Sequence, residues 1–432
     1  MGRLSLQLHG NENKTSSPHD NNWYISSFPI IREESCEFRH WKRVMTTLPV
    51  VTNAKSKNRK SPQQQRFVLA SKTNRITIEN SSTSPTGIHI SVTNQPNKIR
   101  IHFTTGSEGP PLIMYGTNES SLNKFQIGTS DTYKASDMCQ SPANLMEAGK
   151  FTDPGMLHTV ILDNLDPDTR YWYKVGIFSD GQKCGDDNYY DVCWSDLKQF
   201  ITEPHAQNYS LIVYGDQGAP SVGWDGGYLM TANLTSREVI DGDARIVHII
   251  GDLSYANGAG HVWDSYMEMI EPFAAHVPLM AGVGNHEYGH SEGGQNGKDP
   301  SGLISTASYH RENDSGGECG VPFSKRFHGS GNGNGVFWYS YDYGSVHTTV
   351  ISSEHDLSEE SEQYIWLKMD LMSVNRTKTP WIIVECHRPM YMLSKRSPKG
   401  RNLEDNIGGL LIDRDVDMFI SGHRHIYFRS CQ

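Results

Sequence analysis

Five segments of the sequence each close an apolar run with side chains that can hold a metal ion. They are Asp216 in SLIVYGDQG, Asp252 and Tyr255 in RIVHIIGDLSY, Asn285 and His286 in PLMAGVGNHEY, His387 in PWIIVECHRP, and His423 with His425 in VDMFISGHRH. Carboxylate, phenolate, amide oxygen and imidazole are hard or borderline donors, suited to iron, zinc or manganese rather than to a soft thiolate site. His423 and His425, two residues apart on an extended segment, face the same way and can address two adjacent ions. Singly, each piece is weak: Gly-Asp after a strand is commonly a turn, and a lone histidine is commonly structural. The specific signal is the ordered set.

Such side chains need rigid elements to bring them together. The apolar runs alternate with helix-like stretches, including HVWDSYMEMIEPFAAH (261–276) and EESEQYIWLKMDLMSV (359–374). This pattern predicts buried strands in an α/β layered domain over residues 205–432, with the site at the carboxyl ends of the strands. FWYSYDYGSVHTTVISSE alternates as antiparallel strands do, so mixed sheets are expected. Over residues 86–204 the texture is different. IHISV, KIRIHFTT, PLIMYG, HTVILDNL, RYWYKVGIF and LKQFITEP, separated by turn signals, predict an all-β sandwich. Within it, Leu165-Asp166-Pro167-Asp168-Thr169-Arg170-Tyr171 resembles the Leu-x-Pro-x-Thr-x-Tyr corner of fibronectin type III domains, where a tyrosine hydroxyl ties a strand to its preceding loop. Residues 1–85, rich in Ser, Asn, Gln and Lys, read as a disordered, low-complexity tail or an unrecognised targeting segment.

The motifs Asp216-Gln217-Gly218, Gly251-Asp252-Leu253-Ser254-Tyr255, Gly284-Asn285-His286-Glu287, Val384-Glu385-Cys386-His387 and Gly422-His423-Arg424-His425 match in type and order the DxG, GDxxY, GNH(D/E), VxxH and GHxH motifs of a known family. The sequence resembles the purple acid phosphatases of the calcineurin-like metallophosphoesterase superfamily. The flanks DSGGECGVP (314–322) and HRPMY (387–391) resemble the large, plant-type members, which also carry a fibronectin-like domain ahead of the catalytic one.

The resemblance implies a dinuclear centre. Asp216, Asp252, Tyr255 and His425 would hold a ferric ion, and Asp252 would bridge to a divalent Zn, Mn or Fe held by Asn285, His387 and His423. Phenolate and two carboxylates supply the anionic charge that a trivalent ion needs, while imidazoles and an amide suit a divalent one. The activity implied is acid hydrolysis of phosphate monoesters by a metal-bound hydroxide, with His286 positioning phosphate or protonating the leaving group. Glu287 and Arg388 are candidates to support ligands or clamp an anion, and Arg388 reads equally well as a surface charge. Alternatives are a phosphodiesterase or nucleotide pyrophosphatase on the same centre, or an inactive metal- or partner-binding remnant. Two departures from the family pattern stand out. The histidine pair that smaller members carry after VxxH is replaced here by MLSKRSPKG, where Lys395 and Arg396 read as a solvated charge cluster or an attractor of anions. The chain also stops seven residues after His425, so a truncated final layer is expected.

Composition narrows the function classes. Residues 1–80 carry a charge of +7 and the remainder −17. An acidic body argues against a nucleic-acid surface and is compatible with one that holds cations. No apolar stretch is long enough for a membrane helix. The seven cysteines contain no CxxC pair, and whether Cys184 and Cys193 pair depends on an oxidising compartment. No signal peptide is visible in MGRLSLQLHG, whereas seven N-x-S/T sequons and the family resemblance imply a secreted or vacuolar glycoprotein. Phosphorylated small molecules are the implied partners, and a homodimer is one assembly the resemblance allows.

Overall fold

A computed structural model describes residues 84–179, 184, 191–204, 209–220, 226–291, 297–303, 312–391 and 398–426, together with two strands, β1 (Leu4–His9) and β2 (Ile25–Pro29). The expectation of a disordered tail therefore falls mostly outside the described residues. It is corrected at β1, where LSLQLH alternates apolar and polar residues and extends a sheet.

The sandwich is present. One sheet orders β3 (Thr86–Val92), β4 (Ile99–Thr105), β8 (Met156–Leu162) and β7 (Thr129–Asp131). The other orders β10 (Val192–Trp194), β9 (Arg170–Phe178), β5 (Pro111–Gly116) and β6 (Lys124–Ile127), with β11 (Lys198–Ile201) also on β9. Alternate residues such as Ile101, Phe103, Ile113, Val160, Tyr173 and Val175 fill the space between them. The tyrosine corner forms as expected: the Asp166 N–H donates to the Tyr171 hydroxyl at 3.0 Å. Cys184 and Cys193 are bonded, as are Cys139 and Cys319, a pair separated by 180 residues that the sequence did not suggest.

The second domain is two mixed sheets between helices, of which α1 (Gly227–Ile240) is the first in the chain and α4 (Val321–Arg326) the short one ahead of the second sheet. The first orders β14 (Leu279–Gly282), β13 (Ala244–Ile250), β12 (Tyr209–Tyr214), β1 and β2, all parallel except β2. The second orders β15 (Tyr339–Tyr343), β16 (Val346–Ile351), β17 (Trp381–Cys386) and β18 (Met418–Ser421), with only β15 antiparallel. Val247, Ile249, Tyr339, Val350 and Ile383 belong to one core, joined by Trp263 and Ile270 of α2 (Gly260–Ala274). The opposite residues of the second sheet, Ile351, Ile382 and Val384, pack with Leu367 of α5 (Glu362–Ser373) and Ile407 of α6 (Pro398–Asp413). Two buried faces explain why β17 reads as an apolar run interrupted only by Glu385. Glu385, on its inward face, bonds His248 of β13 at 2.6 Å, so a buried polar contact links the two sheets.

A second polar contact fastens a helix to the second sheet. His347 on β16 faces Asp342 (2.8 Å) and Asp370 of α5 (3.2 Å). Burial disfavours the imidazolium, but the two carboxylates outweigh it and hold the group at about 9. A raised pKa contributes stability that is complete below about pH 6.5 and is lost as pH rises through about 9. His347→Gln is therefore expected to cost about 2 kcal/mol more near pH 6 than near pH 10, measured by denaturant unfolding. An equal cost at both pH values would refute the assignment.

Candidate metal centre

The five motifs lie at the carboxyl ends of five parallel strands. Asp216 follows β12; Asp252 and Tyr255 follow β13; Asn285 opens the single turn α3 (Asn285–Tyr288) after β14; His387 follows β17; His423 and His425 follow β18. The local backbone is strained to aim them. Asp216 (φ 58°), Asp252 (52°), Tyr255 (54°), His423 (72°) and His425 (45°) all occupy the left-handed region. Each such residue costs roughly 1–3 kcal/mol, and strain of this kind persists where the surroundings enforce it. The motif glycines allow close approach. A Cβ on Gly284 would overlap the Asp252 carboxylate, and one on Gly422 would lie 2.6 Å from Asp216 Oδ2.

All seven predicted metal ligands converge. Tyr255 Oη stands 2.9 Å from His425 Nε2 and 3.3 Å from Asp216 Oδ1, and His425 Nε2 stands 3.1 Å from Asp216 Oδ1. Beside this trio, His387 Nε2 lies 3.1 Å from Asp252 Oδ2 and 3.2 Å from Asn285 Oδ1. Ligating atoms of Asp252, His387 and His423 all lie within 4.8 Å of one another. Donors at right angles around an ion at about 2.1 Å stand about 3 Å apart, so these separations suit shared ions. The donor set fits the two ions that the motifs imply.

Surrounding groups orient the donors. His387 Nδ1–H donates to the Ile250 carbonyl (3.1 Å), which leaves Nε2 facing the cluster. Asn285 donates its amide N–H to Asp314 (3.1 Å), which turns its oxygen inward. Glu287 is not a donor to the cluster. It accepts the backbone N–H groups of Asp252 (2.7 Å), Leu253 (2.8 Å) and Gly284 (2.9 Å), pinning two motif loops together. Burial and the Asp252 carboxylate raise its pKa, while these three donors favour the ionised form that the geometry requires. The His423 N–H donates to Asp216 Oδ2 at 2.7 Å, tying the second sheet to the first. Arg388 is a buried group paired with Glu354, which removes the surface-charge reading. His286 is half-buried; its Nδ1 lies 2.8 Å from Asn257 Oδ1 and its ring 4.4 Å from the Tyr255 ring. Lys395 and Arg396 lie outside the described residues.

The electrostatics call for cations. Burial together with Asp252 and Asp216 pushes the Tyr255 phenol well above its usual range, so a phenolate forms only if a cation displaces the proton. Burial opposes charge on His387, yet Asp252 overcomes it and raises the group to about 10. Burial, reinforced by His387 and Arg388, lowers His423 to about 3 and keeps it neutral as a ligand must be.

Sequence reasoning did not find Asp314, Asn257 or Glu354. Asp314 and Asn257 touch ligands or candidates 29 residues away in sequence, a separation that leaves no periodic trace. Glu354 had a signal: it follows β16, and so ends a strand as the other site residues do.

Residues 85–202 match the family model for the purple acid phosphatase N-terminal domain, and residues 173–427 match the one for calcineurin-like phosphoesterases. The chain belongs to the purple acid phosphatase family. A solved purple acid phosphatase, PPD1 from yellow lupin (Lupinus luteus) seeds, superposes with a TM-score of 0.67 at 29% identity, covering 79% of this chain and 58% of that one. "Probable inactive purple acid phosphatase 9" of Arabidopsis thaliana is 32% identical over 386 residues, 84% of this chain and 56% of that protein. "Purple acid phosphatase 22" of the same plant is 26% identical over 352 residues, 81% of this chain and 68% of that protein. The chain spans little more than half the length of several purple acid phosphatases it matches.

Asp314→Ala is expected to free the Asn285 amide and weaken metal binding about 10- to 100-fold, read by titrating the metal-free protein with zinc. Gly422→Ala is expected to weaken it as well, by pressing on Asp216 Oδ2. Unchanged affinity in both variants would show that these contacts do not organise the site.

Proposed function

We propose that the chain hydrolyses phosphate monoesters at acidic pH, with Asp216, Asp252, Tyr255 and His425 holding a ferric ion and Asp252, Asn285, His387 and His423 a divalent one. The observation that carries this reading is the convergence of all seven donors, three of them within 3.3 Å of one another around Tyr255 Oη. When bound, such a pair supplies an acidified water as nucleophile and neutralises charge on phosphate.

The protein's own groups do the rest. Tyr255 and the two carboxylates offset a trivalent charge, and buried surroundings strengthen that attraction. His286, with Nδ1 turned to Asn257, has Nε2 as the nitrogen open to substrate, where it can hold a proton for the leaving oxygen. The two disulfides among the described residues support an oxidising compartment, secreted or vacuolar.

A second reading, binding without turnover, is favoured by relatives whose names call them probable inactive. Metal analysis, a visible spectrum and nitrophenyl phosphate turnover separate the two. The expected result is iron plus a second metal, a broad visible band lost in Tyr255→Phe, and a kcat lowered about 10²- to 10⁴-fold in His286→Ala. A colourless protein with two divalent ions would overturn the ferric assignment, and metal occupancy without turnover would support the second reading.

A further inference from the structure

Arg388 occupies a position that is hard to explain unless the site receives an anion. It follows His387 directly and is buried, yet it brings a permanent positive charge to a cluster built for cations. Two of its nitrogens are committed: Nε donates to Glu354 Oε1 (2.6 Å) and Nη2 to Glu354 Oε2 (3.1 Å). Glu354 is itself fixed, since Ser353 Oγ donates to Oε1 at 2.9 Å, and the same hydroxyl accepts the Arg388 backbone N–H at 3.1 Å. The guanidinium is thus held as a rigid fork, with a third nitrogen that Glu354 does not engage. The third, Nη1, donates to Nε2 of His423, a proposed ligand of the divalent ion, at 3.0 Å.

We infer that Arg388 is the substrate-binding residue that clamps a phosphate oxygen on the divalent side of the centre, with Glu354 as its positioning residue. An ion held by His423 through either ring nitrogen would leave Nε2 without a lone pair, since Nε2 is then either bound or protonated, and the Nη1 N–H would lose its acceptor. The released donor, on the residue next to His387 and facing His423, would then be available to a phosphate oxygen at the centre. Glu354 serves twice: its charge offsets the repulsion between the guanidinium and the cations, and its two oxygens fix the direction in which Nη1 points. The stretch after Tyr391, MLSKRSPKG, contains no histidine to share this role. The inference rests on the two-ion reading above.

The test uses the full, metal-loaded chain with inorganic phosphate as the probe. Arg388→Ala is expected to retain both metals and the visible band while binding phosphate about 10- to 100-fold more weakly, the range for a hydrogen bond to a charged group. Arg388→Lys recovers only part of the affinity, because an ammonium cannot keep both the Glu354 fork and the phosphate. Glu354→Gln raises KM more than it lowers kcat. The double variant Arg388→Met with Glu354→Gln removes both buried charges together and serves if Arg388→Ala does not fold. Parental phosphate affinity in the Arg388 variants overturns the inference, as does loss of a metal, which would make Arg388 a support for His423. A parent chain that binds neither two metals nor phosphate overturns the two-ion reading itself.

Discussion

Everything around the site follows from one electrostatic constraint: two carboxylates and a phenol are buried together where water cannot screen them. Asp216 and Asp252 are both buried, with Tyr255 Oη 3.3 Å from Asp216. His387 faces Asp252 at 3.1 Å and His425 faces Asp216 at 3.1 Å, so each carboxylate has an imidazole partner. A metal ion held here would take the place of the imidazole proton with a larger charge and the same donor atoms.

The donors divide unequally between the two sheets. The first sheet carries the oxygen donors Asp216, Asp252, Tyr255 and Asn285, and the second carries the three imidazoles of His387, His423 and His425. Neither half can bind two ions, so the packing between sheets sets the chemistry. Apolar packing alone tolerates small sliding. Directional contacts do not, and the His248–Glu385 bond and the His423 N–H to Asp216 bond fix the register at two depths. The sandwich contributes to the same end. Tyr173 donates its hydroxyl to the Ala275 carbonyl at 2.7 Å, just past α2, and Cys139 tethers Cys319, in the loop whose Asp314 orients Asn285.

What the sequence revealed depended on how locally each feature is encoded. Strand ends with metal donors were readable because an apolar run and its terminal residue are contiguous, and the Tyr171 corner because its partners lie five residues apart. The support network was not readable. Asp314, Asn257 and Glu354 act on residues that are close only after folding, so neither the family-like run that Asp314 opens nor the strand end before Glu354 revealed what they support. Cys139–Cys319 was hidden by the same distance, whereas Cys184–Cys193, nine residues apart, was already a candidate. Arg388 shows the limit most clearly: its sequence context permits a surface charge, and only burial against Glu354 decides otherwise.

The strain at the donors bears on whether the centre binds metal. Five of the ten non-glycine residues with left-handed backbone among the described residues are proposed ligands. At roughly 1 kcal/mol or more each, they oppose folding by about 5 kcal/mol, comparable with the whole net stability of many domains. Burial of the carboxylates and of Glu287 adds to that cost. None of it improves packing, since apolar residues in relaxed turns would fill the same volume. Ions that bind only the folded chain return this energy through mass action. A site with these strained donors, the glycines that admit them and a clamped arginine aimed at one of them has the physical form of a metal-binding centre.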